Sequence, residues 1–454
     1  MKRGRKNRYN PSHSPYARHA NLPPSSRTLE TTPAAQSPGP APAEYDAVLR
    51  ARLRDLRRPV AVGLASAPAL MPEQLGDPEF RREHGVRYAY ATGAMANGIA
   101  SEALVEAGAK AGLLSFFGAA GLALGRVEAA IDRLTSSLGA LTRGFNFIHS
   151  PSEPDLENAV CDLYLRRGVR LVEASAFMDL TPAIVRYRLH AVRRGADGRV
   201  TAPNKVVAKV SRVEVAAKFL APAPEKMLRE MAAAGLIGLE QARLAAEIPM
   251  ASDITVEADS GGHTDNRPLV AVLPAMIALR DRLQAQYRFK SPARVGAAGG
   301  ISTPEAAAAA YMMGAAYVLT GSVNQSCVES GTSEQVRRML AAAGQADCVM
   351  APAADMFEMG VKVQVLKRGT MFAQRGAKLY EAWRQHDSIE AVPPALKAQI
   401  ERDMFRTTLE QAWESTREFF VKRDPAQVER AEKQPKHKLA LVFRSYLGRT
   451  SRWA

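Results

Sequence analysis

The sequence predicts an α/β fold in which a TIM (β/α)₈ barrel lies between a disordered N-terminal tail and a C-terminal helical accessory region. Three observations lead to this prediction. Short β-prone segments alternate with helical segments from residue 87 to residue 322, which is typical of parallel α/β proteins. Several β-prone segments end in glycine or polar residues, as strands do at the functional face of a barrel. No Gly-x-Gly-x-x-Gly follows the first of them, which disfavours an open dinucleotide-binding sheet.

The N-terminal region differs from the rest in composition. Residues 1–43 are rich in Pro, Ser, Arg and Ala, which predicts a disordered basic tail. The 454-residue chain has a formal charge of +15, and residues 1–58 hold 12 Lys and Arg against 4 Asp and Glu. This excess fits either a solvated tail or a weak contact with an acidic partner. Because no basic stripe is interleaved with aromatic residues, we expect no nucleic-acid partner.

Cysteine spacing and hydropathy predict a cytoplasmic protein. The three cysteines, Cys161, Cys327 and Cys348, are not spaced as a metal-binding or redox pair, so we expect reduced thiols. The sequence has no run of about 18 apolar residues that predicts a membrane span. No apolar segment follows the basic N-terminus, as it would in a secretory signal. We therefore expect no membrane association.

The predicted elements follow one another regularly. A short strand is predicted at 59–64, ahead of the alternating region. Further predicted strands lie at 88–92, 112–118, 144–151, 171–176, 205–211 and 254–256, and within 294–300 and 315–322. Predicted helices lie at 101–111, 127–138, 157–167, 182–193, 212–220 and 239–248. Ser101 stands directly before an apolar-spaced segment, the position of a helix N-cap.

The segment 253–268 combines a strand with a distinctive end. Its β-branched residues 254–256 favour a strand, and the sequence Gly261-Gly262-His263 follows closely. Paired glycines allow backbone conformations closed to other residues and let a large group approach the chain. The pattern predicts either a strand end that carries a functional histidine or a tight turn whose histidine caps a neighbouring group.

Two later strand ends predict a phosphate site. Gly299-Gly300 leads into residues 302–305, where hydroxyl residues, an early proline and an acidic first turn indicate a helix start. Gly321 and Ser322 follow the next strand. Backbone N–H groups at such positions bind dianionic phosphate. Barrels frequently build their phosphate site after strands seven and eight, the places that these two strand ends fit.

The sequence changes character after the last predicted strand. We expect a barrel domain with its lead-in at 44–345 and a mainly helical accessory or lid region at 346–454. Residues 350–360 are rich in methionine, which suits either adaptable packing or a substrate-facing gate. Residues 361–369 are β-prone and basic, and 373–454 show helical patterns with alternating charges.

With these motifs assembled, residues 59–454 resemble the PfaD family, flavin-dependent enoyl reductases that act in trans with polyunsaturated-fatty-acid synthases and trans-acyltransferase polyketide synthases. The segments that carry the resemblance are 93–101, 148–154, 180–183, 253–268, 297–300, 320–325, 351–369 and 436–454. The wider relatives, nitronate monooxygenases and a bacterial flavin enoyl reductase, share an FMN-holding TIM barrel with a small helical domain. Their histidine usually follows Glu-Ala-Gly-Gly, whereas here it follows residues 259–262, Asp-Ser-Gly-Gly.

The resemblance implies FMN as the cofactor and NADPH, or NADH, as the hydride donor. The phosphate is expected at Gly299 and the other glycine strand ends, and the ring near Gly93, with Lys209 stabilising negative charge. The expected cofactor-binding residues are Gly93, Ala94, Met95, Asn146, Lys209, Gly261, Gly262, Gly299, Gly300, Gly321 and Ser322. Alternatively, Lys209 is a solvated strand end and Asn146 a satisfied turn residue.

The implied reaction adds hydride to the β-carbon of an enoyl thioester, and His263 is the expected proton donor at the α-carbon. The substrate is expected on an acyl carrier protein domain of a polyketide or fatty acid synthase, and basic residues are candidates to meet that domain. These candidates are Lys362, Lys367, Arg368, Arg375, Lys378, Lys433, Lys436 and Lys438. Solvated helix faces explain them equally well. The alternatives are a nitronate monooxygenase and a non-catalytic synthase scaffold, and the sequence leaves a homodimer open.

Overall fold

The computed structural model describes residues 60–62, 65–67, 70–151, 153–261 and 264–450. The predicted tail at 1–43, and Gly262 and His263, lie outside the described residues. The chain divides into the units Met1–Ala69 and Leu70–Ala454. In the first unit, Val60–Val62 pairs antiparallel with Ala65–Ala67, which confirms a strand within the predicted segment 59–64.

The strands of the described chain form a closed barrel and three small hairpins. In chain order they are β1 Val60–Val62, β2 Ala65–Ala67, β3 Tyr90–Thr92, β4 Leu114–Phe117, β5 Gly144–Ile148, β6 Leu171–Ser175, β7 Arg193–Arg194, β8 Val200–Thr201, β9 Lys205–Val210, β10 Asp253–Glu257, β11 Arg294–Ala298, β12 Val318–Thr320, β13 Cys348–Pro352 and β14 Lys362–Leu366. The parallel barrel has the order β3-β4-β5-β6-β9-β10-β11-β12, and β12 pairs again with β3. This arrangement confirms the predicted TIM barrel.

Helices follow the barrel strands and then form the C-terminal region. In chain order they are α1 Pro78–His84, α2 Glu102–Lys110, α3 Leu124–Leu138, α4 Pro154–Arg166, α5 Pro182–Leu189, α6 Val213–Leu220, α7 Glu225–Ala233, α8 Leu239–Leu244, α9 Leu269–Tyr287, α10 Pro304–Met312, α11 Ser322–Gln325, α12 Glu334–Ala341, α13 Phe372–Gln385, α14 Pro394–Ile400, α15 Leu409–Arg423, α16 Pro425–Lys433 and α17 Pro435–Thr450. A π-helical turn covers Glu401–Phe405, and 3₁₀ turns cover Pro72–Gln74, Ala245–Glu247, Gln345–Asp347 and Phe357–Met359.

The helix starts follow the capping residues in the sequence. The Ser101 hydroxyl accepts a hydrogen bond from the N–H of Leu104 at 3.1 Å, and the Thr303 hydroxyl accepts one from Ala306 at 3.2 Å. Each bond satisfies an N–H group that has no partner inside its helix. The predicted caps at α2 and α10 are therefore confirmed.

One local prediction is wrong and one strand was missed. The helix predicted at 182–193 ends at Leu189, and residues 193–194 instead pair with 200–201 in the β7–β8 hairpin. The C-terminal region also holds the antiparallel hairpin β13–β14, whose first strand was not predicted. Methionine and alanine in 348–352 show no strong strand preference, so pairing with the β-prone residues of β14 decides their conformation.

The interior of the barrel is packed rather than open. Large side chains from alternating strand positions fill it; they are Leu114, Phe116, Leu171, Val207, Tyr317 and Leu319. Phe80 of α1 is fully buried and stacks on Tyr317, with ring centroids 4.3 Å apart. The opposite, outer faces of the strands pack against the surrounding helices in a second cluster.

Helix α1 closes the N-terminal end of the barrel with buried charged groups. His84 Nε2 lies 2.9 Å from Asp253 Oδ2, and Arg294 Nε donates to Asp253 Oδ1 at 2.6 Å. Although burial opposes ionisation, Arg294 and His84 hold the pKa of Asp253 well below its usual range. Asp253 and Arg294 begin β10 and β11, so this network lies at the end of the barrel opposite the carboxyl ends of the strands.

The C-terminal helices have a core of their own. Buried apolar side chains from α13, α15 and α17 form a cluster with Phe357 and Met404. The cysteines 161, 327 and 348 are unpaired, as predicted. Among the described helices, none has the length and apolar character needed to cross a membrane.

Candidate active site

The carboxyl ends of the barrel strands form the C-terminal mouth, which brings together glycines from distant parts of the sequence. The N–H of Gly93 donates to the carbonyl of Thr320 at 2.9 Å, so the ends of β3 and β12 adjoin. A Cβ atom on Gly261 would lie 3.8 Å from the hydroxyl of Ser322. The segments after β10 and β12 therefore adjoin as well. Gly93, Gly261 and Ser322, three of the predicted site residues, share one region.

The backbone at Gly299-Gly300 requires glycine for two reasons. Both residues have positive φ angles, 92° and 70°, a region that L side chains rarely adopt. A Cβ on Gly299 would also lie 2.8 Å from the carbonyl carbon of Ala258. At Gly300 and Gly321 a Cβ would instead meet nothing within 4 Å. The mouth thus combines a tight crossing of two strand ends with backbone that faces open space.

The loop after β3 is held tightly. A Cβ on Gly93 would lie 2.6 Å from Leu319 Cδ2 and 3.5 Å from Glu173 Oε1. The N–H of Ala94 donates to Glu173 Oε2 at 3.0 Å. The carbonyl of Met95 accepts from Ala100 at 3.2 Å. These contacts place Gly93 and Ala94 directly beside a buried carboxylate, and Met95 is held by its own loop.

A cluster of three charged side chains lies inside the mouth, and we call Glu173, Lys209 and Glu257 the mouth cluster. Lys209 Nζ lies 2.9 Å from Glu257 Oε1 and 3.9 Å from Glu173 Oε2. The Glu173 side chain is fully buried, and those of Lys209 and Glu257 are 13% and 12% exposed. Lys209 is therefore not a solvated strand end. Sequence reasoning missed both glutamates, although acids at the inward positions of strands β6 and β10 were a signal.

Burial and mutual attraction shift the protonation of this cluster in defined directions. Burial raises the pKa of Glu173 to about 7, although the attraction of Lys209 opposes that change. Burial alone would lower the pKa of Lys209, but Glu173 and Glu257 raise it above its usual range. These shifts favour the cationic form of Lys209 and the protonated form of Glu173.

Asn146 lies in the interior of β5, and the protein provides two acceptors for its side-chain NH₂ group. Its Nδ2 donates to the carbonyl of Glu173 at 3.2 Å and to the hydroxyl of Ser175 at 2.9 Å. The main-chain carbonyl of Asn146 accepts from the phenol of Tyr164 at 2.6 Å. Asn146 therefore binds β5 to β6, close to the mouth cluster.

A second histidine, His149, follows β5 and was given no role from the sequence. Its Nδ1 lies 2.8 Å from Glu157 Oε2, and its ring stacks on Phe177 with centroids 5.2 Å apart. Burial opposes ionisation of Glu157, but hydrogen bonds from His149, Thr181 and the Ser150 N–H lower its pKa below its usual value. This pair orients an imidazole at the rim of the mouth.

The hairpin β13–β14 reaches the segment that follows β10. Gln364 Nε2 donates to Asp259 Oδ1 at 3.2 Å, and a Cβ on Gly261 would lie 3.8 Å from the Gln364 carbonyl. The C-terminal region therefore contributes to the wall beside the predicted histidine segment. His263 and Gly262 themselves lie outside the described residues.

Comparison with solved structures and family models identifies similar proteins. The crystal structure of the enoyl reductase domain of MlnA, from the macrolactin biosynthesis cluster of Bacillus amyloliquefaciens, has a TM-score of 0.79 and 39% sequence identity. The match covers 83% of this chain and 84% of that domain. Residues 386–454 match the family model described as the inserted helical domain of [acyl-carrier-protein] S-malonyltransferase.

Curated relatives share most of this chain but are longer. The polyketide biosynthesis protein PksE of Bacillus subtilis is 44% identical over 84% of this chain and 50% of its own length. A polyunsaturated fatty acid synthase component of Thraustochytrium sp. is 49% identical over 84% of this chain and 26% of its own length. The chain thus spans half or less of these curated relatives.

Proposed function

Since this chain belongs to the PfaD family, we propose that it is a trans-acting enoyl reductase, an oxidoreductase that reduces the α,β-double bond of enoyl thioesters. The substrate is carried by an acyl carrier protein domain of a polyketide or fatty acid synthase. The cofactor is FMN, and NADPH or NADH supplies the hydride. The observation that carries the proposal is the similarity to the MlnA enoyl reductase domain over 84% of that domain.

The glycine strand ends are the proposed phosphate site of FMN. Gly300 and Gly321 face open space, so their backbone is accessible to a bulky anion. A backbone that lacks Cβ atoms lets phosphate oxygens approach the N–H groups closely. Gly261, Gly299 and Ser322 lie beside them. The residues present therefore fit a phosphate group.

The region beside β3 is the proposed site of the flavin ring. FMN, when bound, supplies the hydride-transfer chemistry. Gly93 and Ala94 offer a surface without large side chains, and Lys209 stays cationic beside them because two carboxylates surround it. A fixed cation in a largely buried site stabilises negative charge more strongly than one in water. Lys209 is thus proposed to favour the reduced ring.

The remaining chemical task is protonation of the substrate. Addition of hydride to the β-carbon leaves an enolate that needs a proton at the α-carbon. His263 is the proposed donor, because an imidazole titrates near neutral pH and is readily reprotonated. Asp259, in the same segment, is held by Gln364 and Asn266.

The proposed function is tested by anaerobic stopped-flow spectroscopy of the purified protein. NADPH should bleach bound flavin, and an enoyl thioester on a carrier protein should then restore the oxidised spectrum. A colourless protein would contradict the proposal and leave the scaffold alternative. Reoxidation by oxygen with a nitroalkane, but not by a crotonyl thioester, would favour the nitronate monooxygenase alternative instead.

A further inference from the structure

Glu173 is a buried carboxyl group with one unused oxygen. The side chain lies at the inward face of β6 and has no exposed surface. Its Oε2 accepts the Ala94 N–H at 3.0 Å, whereas Oε1 is buried without a hydrogen-bond partner in the described part of the chain. A buried, ionised carboxylate with an unsatisfied oxygen is unfavourable. Protonation removes much of that cost.

The surrounding charges do not neutralise Glu173 fully. Lys209 of β9 is the cation that faces it, yet Lys209 Nζ lies 3.9 Å from Glu173 and 2.9 Å from Glu257 of β10. Two ionised carboxylates and one ammonium leave one excess negative charge. The other nearby elements contribute neutral groups: the phenol of Tyr317 before β12 interacts with Glu173, and the amide of Asn146 on β5 donates to the main-chain carbonyl of Glu173.

We propose that Glu173 is a proton-holding positioning residue, which binds one proton from water when the flavin ring beside β3 becomes anionic and releases it when the ring is neutral again. The inference rests on the proposed function. Hydride transfer from NADPH delivers two electrons and one proton to the ring and leaves it with one negative charge. Binding of a solvent proton to a carboxylate oxygen of Glu173 forms an O–H bond, and the net charge of the mouth is unchanged.

The position of Glu173 suits this role. The carboxyl group contacts the Ala94 N–H and lies next to Gly93, where the ring is proposed to bind. Burial raises the pKa of Glu173 to about 7, so both protonation states are populated near neutral pH. An added negative charge nearby raises a carboxyl pKa further. Proton uptake is then coupled to reduction of the ring.

The first experiment is an infrared titration of the protonated-carboxyl band in the purified full-length protein. A band that titrates near pH 7 is expected in the wild type and absent in E173Q. E102Q is the matched control, since Glu102 is also buried but bonds Arg126 through both oxygens and has a pKa below its usual value despite burial. The band should remain in E102Q. If the wild type lacks it, the proposal is wrong whether or not flavin binds.

The second experiment measures proton uptake with a pH indicator in weak buffer while NADPH reduces the bound flavin anaerobically. Uptake near pH 7 should be clearly lower in E173Q and unchanged in E102Q. E257Q is a second variant in case E173Q does not fold. Without the Glu257 charge, Lys209 stabilises the ionised form of Glu173 more strongly. The pH at which protons are taken up and the pH at which the infrared band titrates should therefore both fall.

The outcomes separate the two proposals. Flavin that is reduced with the same proton uptake in E173Q, E257Q and the wild type would overturn the role of Glu173 and leave the reductase intact. A protein that binds no flavin would overturn the reductase. A purely structural role would lower the thermal stability of E173Q without changing the number of protons taken up per flavin.

Discussion

At the scale of single residues, the stability of the protein should depend on the proton carried by Glu173. Burial raises its pKa from the ordinary value of 4.5 to about 7. A raised carboxyl pKa stabilises the fold fully below about pH 4.5, and this contribution is lost as the pH rises through 7. We expect this loss to be ~3 kcal/mol of the free energy of unfolding in the wild type and to be absent in E173Q. Urea denaturation between pH 4.5 and 8 measures it.

The control for that prediction has the opposite sign. Hydrogen bonds from Arg126 lower the pKa of Glu102 despite its burial. The stabilisation from Glu102 is therefore present above its ordinary pKa and is lost as the pH falls. A wild-type stability that stays constant from pH 4.5 to 8 would contradict the assignment of Glu173.

The chemistry proposed for His263 leads to a second prediction. Because a positioned general acid contributes about 10²–10⁴-fold to a rate, H263A should slow reoxidation of the flavin by an enoyl thioester by about that factor. Reduction by NADPH and the flavin content should stay close to those of the wild type. Stopped-flow spectroscopy measures both half-reactions, and an unchanged reoxidation rate would exclude His263 as the proton donor.

The third prediction concerns the proposed phosphate site. Gly321 has φ −119° and ψ −73°, so alanine fits its backbone without a positive φ. A Cβ there would enter open space, the space that we assign to phosphate. G321A should therefore fold normally but bind FMN at least about tenfold more weakly, a loss of ~1.4 kcal/mol.

Gly125 of α3 provides the matched substitution for G321A. A Cβ on Gly125 would also meet nothing within 4 Å, but the residue lies in the first turn of α3 and not at one of the glycine strand ends assigned to phosphate. G125A should leave FMN affinity unchanged. Fluorescence titration of the apoprotein with FMN compares the two variants, and equal affinities would place the phosphate elsewhere.

At the scale of elements, helix α1 closes the N-terminal end of the barrel. The helix begins at Pro78 behind the cap Asp77, whose carboxylate accepts the N–H of Glu79 at 2.7 Å. Phe80 enters the barrel interior, and the buried residue His84 bonds the first residue of β10. Apolar packing and a buried polar network therefore hold one short helix in place.

The fourth prediction follows from this packing. Phe80 is fully buried and stacks on Tyr317, so F80A should lower the free energy of unfolding by about 3–5 kcal/mol. L239A is the comparison, because Leu239 is 81% exposed and should change stability by less than about 0.5 kcal/mol. Chemical denaturation of both variants checks the difference. A small effect of F80A would mean that α1 does not support the barrel.

At the scale of the whole molecule, the charge distribution bears on the proposed binding of a carrier protein. Four of the basic candidates are exposed, namely Lys362, Lys367, Arg368 and Lys433. The others are half-buried and engaged: Arg375 donates to Tyr446, Lys378 to Gln399 and Lys436 to Asp387, while Lys438 lies over the ring of Trp413. The four exposed residues are therefore the better candidates to bind an acidic domain.

The fifth prediction is a salt dependence that only carrier-bound substrates show. Added salt screens exposed charges and slows electrostatically steered association. We expect kcat/KM for a carrier-bound enoyl substrate to fall about tenfold between low and high ionic strength, while that for a small enoyl thioester stays nearly constant. Substitution of Lys362 and Lys367 by glutamine should reduce the salt dependence. Equal salt effects on both substrates would exclude electrostatic docking.

The barrel could be predicted because its signals are local. Strand and helix periods, the caps Ser101 and Thr303, and the glycines after β11 each depend on a few neighbouring residues. The β7–β8 hairpin and β13 were missed for the same reason. Val200, Thr201 and Val349 favour strands, but these stretches are short, and pairing with a separate segment stabilises their conformation.

The sequence by itself determined the parallel barrel, its helix starts and the glycine strand ends, since each follows from the conformational preferences of adjacent residues. Only the tertiary structure decided that Glu173, Lys209 and Glu257 meet, because closure and register of the barrel set the distances between their strands. Burial then determines the protonation of the cluster. That burial is a property of the closed barrel and not of any one segment.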